Sequence, residues 1–342
     1  MYVLGPCSAE SREQVVETAV SIANHFPKSI FRAGIWKPRT RPGNFEGIGE
    51  LGLSWLREAG DKSGLKVATE VANTRHVELA LKNDIDVLWV GARTTVNPFY
   101  VQEIAEALKG MDIPIMVKNP LAPDFSLWLG AVERFEKVGT SQVIAIHRGF
   151  HHYDSKPYRN LPQWEIPIQL MAERPDLPIL CDISHIGGDR ALLAGIAQKA
   201  MDLNMNGLHI EVHPDPAEAL SDSRQQITTD QLLDLISGIE WREATTDNQE
   251  FHQSLRHLRS EVDSIDQDVL KAFFRRMESI SRIGALKKKN KVTVLQVKRW
   301  KKIEDHYLTE GKALGLSEEF LTKLLHIIHD ESMRIQHDIM NR

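Results

Sequence analysis

The sequence of 342 residues contains few cysteines and no long apolar run. Its two cysteines, Cys7 and Cys181, cannot build a disulfide framework, and no stretch of about 18 apolar residues could cross a membrane. The formal net charge of -5 indicates neither a nucleic-acid-binding surface nor a membrane-binding one. The N-terminus also lacks the pattern of a secretory signal. We therefore expect a protein of a reducing compartment, most simply the cytoplasm, without nucleic-acid or membrane partners.

Short apolar runs rich in Val and Ile recur eight times along the first two thirds of the chain, each followed by turn residues and a helical pattern. They are YVLGPC, SIFRAG, KVATEV, VLWVGA, IPIMVKN, VIAIHRG, PILCDIS and GLHIEVH. The helical segments cover residues 11–25, 47–63, 74–83, 98–110, 126–137, 163–173, 189–203 and 228–240. Continuous apolar runs are typical of parallel strands that are buried on both faces. The pattern predicts an α/β fold, a closed (β/α)8 TIM barrel.

Polar residues follow every predicted strand, at the end where the active sites of such barrels lie. In chain order these residues are Cys7, Arg32 with Lys37 and Arg39, Glu70, Arg93, Lys118, Arg148, Asp182 with His185, and Glu211. Any one of them could be an ordinary charged loop residue, but eight chance placements on one rim are a poor explanation. One active site at this rim is predicted.

Two chemical kinds of side chain meet there. The cations are concentrated for a chain of negative net charge and indicate recognition of phosphates and carboxylates: Arg32, Lys37, Arg39, Arg93, Lys118, Arg148 and Arg190. The second kind is a thiol, an imidazole and two carboxylates, on Cys7, His185, Glu211 and Asp222. A mixed set of S, N and O donors suits one divalent transition metal ion better than Mg or Ca. Mn, Fe, Co and Zn all remain open, because availability and affinity order decide among them.

Seven motifs spread over residues 1–225 support a family resemblance: GPCSAE at 5–10, FRAGIWKPRT at 31–40, GAR at 91–93, PIMVKN at 114–119, HRG at 147–149, DISHIGGDR at 182–190 and EVHPDPAEALSD at 211–222. On these motifs the barrel resembles 3-deoxy-D-arabino-heptulosonate 7-phosphate synthase, of the shorter class related to 3-deoxy-D-manno-octulosonate 8-phosphate synthase. The resemblance implies an aldol-like condensation of phosphoenolpyruvate with erythrose 4-phosphate, the first step of aromatic biosynthesis.

The same resemblance implies roles for individual residues. Phosphoenolpyruvate would be held by Lys37, Arg93, Lys118 and Arg148, with Lys118 also placed for proton transfer and Arg32 as a further phosphate contact. Arg39 and Thr40 of KPRT would bind the aldose phosphate. A metal ion on Cys7, His185, Glu211 and Asp222 would polarise the aldehyde carbonyl. The octulosonate synthase typically has an ANRTS-like sequence in place of KPRT, so the four-carbon sugar is favoured over the five-carbon alternative.

From about residue 241 the strand pattern gives way to helical periodicity, after the polar connector WREATTDNQE. Residues 255–286 form one long amphipathic pattern, whose apolar members are Leu255, Leu258, Val262, Ile265, Val269, Phe273, Met277, Ile280 and Ile283. Such a helix spans roughly 50 Å, longer than a small domain can cover, so its apolar stripe is expected to meet a second chain. Further helices are predicted at 293–313 and 317–340. The expected organisation is a barrel at 1–242, a linker at 243–252 and an all-α three-helix dimerising domain at 253–342.

The helical segment resembles the all-helical chorismate mutase family along its whole length. The matching motifs are LRSEVDSIDQDVLKAFFRRM at 258–277, GALK at 284–287, VLQVKR at 294–299 and DESMRIQ at 330–336. The resemblance implies that Arg259, Arg276 and Arg299 hold the two carboxylates of chorismate, with Arg259 reaching into the partner's site. Lys287 and Gln336 would donate to the ether oxygen, and Ser332 is a further polar position in the pocket.

The mutase pattern departs from the family at two positions. Gln296 stands where the family often has Asp, and Trp300 stands where it usually has a Glu that binds the substrate hydroxyl. Glu304 or another neighbour is a possible substitute.

Three hypotheses follow for the helical domain. It is a second enzyme, converting chorismate to prephenate; or a sensor that binds prephenate or chorismate and regulates the barrel without catalysis; or only an oligomerisation tail. Arg259, Arg276 and Arg299 argue against a tail, because a dimer seam has no use for three converging cations. The rearrangement is pericyclic and needs oriented cations rather than a nucleophile. We therefore favour a bifunctional homodimer with feedback by prephenate, and expect any regulation to come from the C-terminal side, because the first strand begins at Tyr2.

Overall fold

The computed structural model describes residues 1–37 and 45–341. The chain forms two compact units, Met1–Ala244 and Thr245–Arg342. The boundary between them falls inside the connector at 243–252.

Eight parallel strands form the centre of the first unit. They are β1 (Tyr2–Gly5), β2 (Ile30–Arg32), β3 (Lys66–Val71), β4 (Val87–Val90), β5 (Ile115–Lys118), β6 (Val143–His147), β7 (Ile179–Asp182) and β8 (Gly207–Glu211). Each strand pairs with the next one along the chain, and β8 pairs with β1, so that the sheet closes into a barrel. The predicted (β/α)8 architecture is confirmed.

The helices of this unit follow the predicted segments closely. They are α1 (Arg12–Ala23), α2 (Leu51–Ser63), α3 (Thr74–Lys82), α4 (Ala92–Thr95), α5 (Pro98–Ala107), α6 (Phe125–Val138), α7 (Glu165–Glu173), α8 (Ile183–Gly187), α9 (Leu193–Asp202) and α10 (Thr229–Ser237). The short helices α4 and α8 were not predicted, because four or five residues are too few to show a helical period. Both begin directly after a strand, at the rim where the polar residues lie.

Apolar side chains fill two layers of the barrel. The larger layer lies between the strands and the surrounding helices, and the smaller one fills the barrel interior with Val3, Ala68, Val87, Trp89, Met116, Ile144, Ile146 and Leu180. Trp89 is fully buried and lies under the rim, with the guanidinium of Arg32 4.9 Å from its ring centroid. The interior is therefore packed below the rim, and polar chemistry is confined to the carboxyl ends of the strands.

In the described part of the second unit, up to residue 341, the chain forms three helices: α11 (Gln249–Asn290), α12 (Val297–Ala313) and α13 (Glu318–Asn341). With 42 residues, α11 is longer than predicted at both ends. It begins early because the side chain of Asn248 accepts a hydrogen bond from the backbone N–H of Phe251, and it ends where Lys291 adopts a φ of 55°. At 1.5 Å per residue its length is about 63 Å.

The apolar stripe of α11 is exposed over much of its length. Leu258, Val262, Ile265 and Val269 each expose about half of their surface. The expected contact with a second chain stays a prediction. Among the described residues, none of the helices combines the length and the apolar character that crossing a membrane requires.

Candidate functional site

A thiol and two carboxylates meet where the first and last strands of the barrel pair. Cys7 follows β1, Glu211 ends β8, and Asp222 lies in the loop that follows β8. The three possible ligand atoms lie within 4.8 Å of one another, with Cys7 Sγ 3.4 Å from Asp222 Oδ2. The register pairs Gly5 with Glu211, which brings residues far apart in sequence to one edge. Gly5 has a φ of 143°, and a Cβ there would lie 2.2 Å from the Arg32 carbonyl oxygen, so only glycine fits.

His185 borders this cluster from the short helix α8. Its Nδ1 lies 3.0 Å from Asp182 Oδ1, and its Nε2 lies 3.8 Å from Glu211 Oε1. A carboxylate beside Nδ1 holds the ring proton there and leaves the lone pair of Nε2 facing the cluster. The structure thus places all four predicted metal ligands together, three in a tight group and His185 at its edge.

The chemistry of these residues fits a divalent transition ion. Glu211 Oε1 is buried and accepts no hydrogen bond in the described part of the chain, although a guanidinium nitrogen of Arg32 lies 3.4 Å away. Burial and the charge of Glu211 raise the pKa of Cys7 to about 12, with Lys37 opposing the shift. A bound dication would supply the positive charge that this acceptor-rich group calls for, and the mixed S, N and O donors suit a transition metal.

Two of the predicted cations contact the cluster directly. Lys37 Nζ lies 2.7 Å from the Cys7 carbonyl oxygen and 3.0 Å from its Sγ. Burial lowers the pKa of Lys37, but the charges of Cys7 and Glu211 more than offset this, so the pKa lies above its ordinary value. Arg32 is buried and donates to the Cys7 carbonyl oxygen at 3.2 Å.

Lys118 and Asp182 form a buried ion pair at the centre of the rim, with Nζ 2.7 Å from Oδ2. Burial lowers the pKa of Lys118 even though Asp182 acts to raise it. The same carboxylate contacts His185 and lies 3.3 Å from His209 Nδ1. Burial acts to raise the pKa of Asp182, but His185 and Lys118 hold it well below its ordinary value. The sequence predicts Asp182 at the rim but indicates no role for it, because its three partners lie on different strands and loops.

The remaining predicted cations differ in their surroundings. Arg148 is buried, and burial lowers its pKa to about 10, with the charges of Arg159 and Arg93 adding to the effect and Asp182 opposing it. Arg93 is exposed at the start of α4. Arg190 is exposed and donates to the carbonyl oxygen of Ser223, the residue that follows Asp222. Arg39 and Thr40 lie outside the described residues.

A small cavity opens beside Lys37. Its volume is about 230 Å³, and it is lined by Trp36, Lys37, Glu46, Glu70, Ala72 and His76. The Trp36 ring stacks on the His76 ring with a centroid distance of 3.8 Å and an interplanar angle of 8°. This aromatic pair forms one wall of the cavity.

In the helical unit, α11 and α13 bring four of the predicted mutase residues close together. Arg276 donates to Ser332 Oγ at 2.6 Å, and Gln336 lies one turn further along α13. Gln336 Oε1 is buried and has no hydrogen-bond partner among the described atoms. A Cβ on Gly284 would lie 3.3 Å from Gln336 Cα, so this glycine sets the close approach of the two helices. Lys287 follows in the next turn of α11 and donates to the Val294 carbonyl oxygen.

The other predicted mutase positions are less enclosed. Arg259 and Arg299 are exposed, and Gln296 precedes α12 without capping it through its side chain. The Trp300 ring contacts the His329 ring with a centroid distance of 3.8 Å and an interplanar angle of 35°. His329 was not predicted, although its spacing is a signal, because His329, Ser332 and Gln336 fall on one face of α13 at steps of 3 and 4.

Each of the two units matches a known protein family. The DAHP synthetase I family matches residues 1–247, and the family described as chorismate mutase type II matches residues 258–337. A phospho-2-dehydro-3-deoxyheptonate aldolase of Thermotoga maritima is 32% identical over 234 residues, which cover 68% of this chain and 67% of that protein. A 2-dehydro-3-deoxyphosphooctonate aldolase of Syntrophobacter fumaroxidans is 28% identical over 251 residues, covering 68% of this chain and 83% of that protein. A crystal structure of the T. maritima heptonate aldolase superposes with a TM-score of 0.63 at 31% identity, over 69% of this chain and 67% of that one.

Proposed function

Since the chain belongs to the DAHP synthetase I family over residues 1–247 and matches the chorismate mutase type II family over residues 258–337, we propose that it catalyses two steps of aromatic biosynthesis. The barrel condenses phosphoenolpyruvate with erythrose 4-phosphate to give 3-deoxy-D-arabino-heptulosonate 7-phosphate and phosphate. The helical unit rearranges chorismate to prephenate. Both Cys7 and Cys181 are free thiols, which supports a cytoplasmic location for the two reactions.

The observation that carries the synthase proposal is the meeting of the Cys7, Glu211 and Asp222 cluster with buried cations on one rim. Phosphoenolpyruvate carries a phosphate and a carboxylate, for which Arg148 and Lys37 supply positive charge in a desolvated site. Cys7, His185, Glu211 and Asp222 would hold a divalent transition ion, which when bound would supply Lewis-acid polarisation of the aldehyde carbonyl.

The protein's own groups then account for the proton movements. A bond forms between C3 of phosphoenolpyruvate and the aldehyde carbon, and the aldehyde oxygen takes up a proton. Water adds at C2, the bond between C2 and the phosphate oxygen breaks, and phosphate leaves. Of the two water protons, one replaces the proton given to the aldehyde oxygen and the other leaves with the phosphate, so the overall reaction consumes one water. Lys118 has a lowered pKa and a carboxylate partner in Asp182, which suits it to deliver the proton to the aldehyde oxygen.

The aldose substrate is tested by competition between sugars. We expect kcat/KM to be at least tenfold higher for erythrose 4-phosphate than for arabinose 5-phosphate. The KPRT sequence at 37–40, which stands where the octulosonate synthase typically has an ANRTS-like sequence, supports the four-carbon sugar. A higher kcat/KM for the pentose would overturn this assignment and place the chain with the octonate aldolases.

The mutase proposal rests on the contact of Arg276 with Ser332, beside the buried Gln336. The rearrangement breaks an ether bond and builds negative charge on the departing oxygen, so fixed donors and cations are what catalysis needs. The test is prephenate formation from chorismate by the full-length chain, with Arg276→Ala as the variant. Arg282→Ala, on the exposed surface of the same helix, is the matched control. Turnover that is lost in Arg276→Ala and kept in Arg282→Ala supports a second enzyme.

One observation favours the alternative of a non-catalytic sensor. Trp300, whose ring contacts that of His329, occupies the position at which the resemblance implied a carboxylate for the substrate hydroxyl. Absence of turnover together with binding of chorismate or prephenate would make the helical unit a sensor and leave the barrel as the enzyme.

We also propose that prephenate bound to the helical unit inhibits the synthase. Prephenate is expected to lower the synthase rate of the wild-type chain and to leave that of Arg276→Ala unchanged, because the variant loses the cation that contacts Ser332. Equal inhibition of both chains would place the inhibitory site elsewhere.

A further inference from the structure

Gln225 joins the two carboxylates of the Cys7, Glu211 and Asp222 cluster through a chain of hydrogen bonds. Its side chain is buried, and its Nε2 donates to Glu211 Oε2 at 2.6 Å. Its Oε1 accepts from a guanidinium nitrogen of Arg159 at 2.6 Å. Neither Gln225 nor Arg159 has a role in the proposed reaction.

The same nitrogen of Arg159 also reaches the second carboxylate, at 3.0 Å from Asp222 Oδ1. Each carboxylate is therefore held by one of its two oxygens. The other oxygens face the cluster. Glu211 Oε1 accepts no hydrogen bond in the described structure, and Asp222 Oδ2 accepts one from Cys7 Sγ at 3.4 Å, whose proton is lost when a cysteine binds a metal as the thiolate.

Holding one oxygen matters because a free carboxylate rotates and presents either oxygen to an ion. Fixing it beforehand removes the entropy loss that binding would otherwise include. Asp222 adds backbone strain, since it adopts a φ of 49° without being glycine. A residue in this conformation needs contacts that hold it there, and Arg159 supplies one.

We propose that Gln225 and Arg159 are positioning residues that orient Glu211 and Asp222 so that one oxygen of each faces a divalent cation. The inference rests on the metal centre of the proposed function. Gln225 gives the cleaner test, because Arg159 also carries a positive charge that repels the cation, whereas Gln225 acts by orientation alone.

The experiment measures cation binding by the full-length chain after removal of metal with a chelator. Co²⁺ is titrated while the thiolate-to-cobalt absorption band is recorded, and Kd is measured by calorimetry. Gln225→Met keeps the side-chain volume and removes both hydrogen bonds. We expect its Kd for Co²⁺ to be about 10- to 100-fold higher than that of the wild type, as for other residues that orient metal ligands. The absorption band should stay at the same wavelength, because Cys7 still binds the ion.

A matched control separates orientation from general loss of a glutamine. Gln169 donates to Glu173 in the same way, at 2.9 Å, but on the exposed surface of α7, and Gln169→Met should bind Co²⁺ like the wild type. Gln225→Asn is a smaller change that keeps an amide but shortens its reach, and an intermediate Kd is expected.

Several outcomes would overturn the inference. One is a Kd in Gln225→Met and Gln225→Asn within threefold of the wild type. Another is a loss of thermal stability in the metal-free variants. If the variant with the weaker Co²⁺ binding also had the lower melting temperature relative to the wild type, the role of Gln225 would be structural only. A wild-type chain that shows neither the thiolate band nor calorimetric binding would overturn the metal centre of the proposed function and this inference together.

Discussion

At the scale of single residues, the most connected group of the rim is the carboxylate of Asp182. It is fully buried and contacts Lys118, His185 and His209, which come from three different segments. A buried carboxylate of this kind orients its partners and keeps a lysine charged in a desolvated site. The chemistry assigned to Lys118 therefore depends on Asp182.

Replacing this carboxylate by its neutral isostere tests that dependence. Asp182→Asn should lower the synthase kcat/KM about 100-fold or more, because Lys118, the proposed proton donor, loses its charged partner. Stability should fall by about 3–5 kcal/mol, as expected when one member of a buried ion pair is removed. Synthase turnover, chorismate turnover and urea unfolding are all measured on one preparation of the variant. Asp202→Asn, on the surface of the same unit, is the control, and a synthase rate equal to that of the control would contradict the role.

His147 gives a prediction for stability against pH. It is fully buried among Trp128, Phe150 and Trp164, and burial lowers its pKa to about 3. The folded chain keeps the ring neutral while the unfolded chain protonates it near pH 6.5, so its contribution to stability is present above pH 6.5 and is lost as pH falls toward 3.

The free energy of barrel unfolding should therefore fall by about 2 kcal/mol from this group between pH 6.5 and 4.5. Urea titrations followed by near-UV circular dichroism measure the change. His147→Leu should show a loss smaller by about that amount, whereas His25→Leu, which removes an exposed ring, should follow the wild type. A pH dependence that is the same in all three chains would show that His147 contributes nothing to it.

At the scale of helices and strands, the sequence predicted what depends on local periodicity. The strands were visible as apolar runs, and the long helices as steps of 3 and 4 residues. The helices α4 and α8 were not, since each is shorter than a recognisable period, and they carry Arg93 and His185. Periodicity also gave α11 too few residues, because the cap at Asn248 lies beyond its apolar stripe.

In the site, too, the sequence predicted what depends on the position of a residue along a strand and not what depends on side-chain geometry. Cys7, Glu211 and Asp222 could be grouped because each stands at or just after a strand end of one barrel. The contacts of Gln225 with Arg159 and of Lys118 with Asp182 could not, because they join residues 66 and 64 positions apart through side-chain geometry alone. The polar type of each residue was visible, but its partner was not.

The exposed stripe of α11 carries the prediction of a dimer. Val262 belongs to this stripe and is 54% exposed. A carboxylate at this position would have to be buried unpaired in an interface between two copies of the chain. Val262→Glu should halve the molecular mass measured by sedimentation at micromolar concentration. Chorismate turnover should fall with it, because Arg259 is predicted to serve the partner's site. Glu261→Gln is the neighbouring control, and a wild-type chain that sediments as a monomer would refute the dimer.

At the scale of the whole molecule, two chemistries of different kinds are joined in one chain. The barrel rim combines predicted metal ligands with buried cations, whereas the helical site combines Arg276, Ser332 and Gln336, for which we propose a pericyclic reaction that needs no metal.

A chelator should therefore separate the two activities. Removal of metal is expected to abolish synthase turnover and to leave chorismate turnover within a factor of two, and returning Mn²⁺ or Co²⁺ should restore the first. Continuous assays of both reactions on the same dialysed sample provide the measurement. Loss of both activities on chelation would contradict a metal-free helical site.

The pairing of β1 with β8 has a consequence for how the chain is made. Cys7 follows β1, which is synthesised before the other strands of the barrel, while Glu211 and Asp222 come more than two hundred residues later. A nascent chain therefore has no complete ion-binding site until its last strand has emerged and closed the barrel. An ion bound where β1 pairs with β8 contacts both ends of the sheet. In the cell the cation would therefore bind last and stabilise the closed barrel.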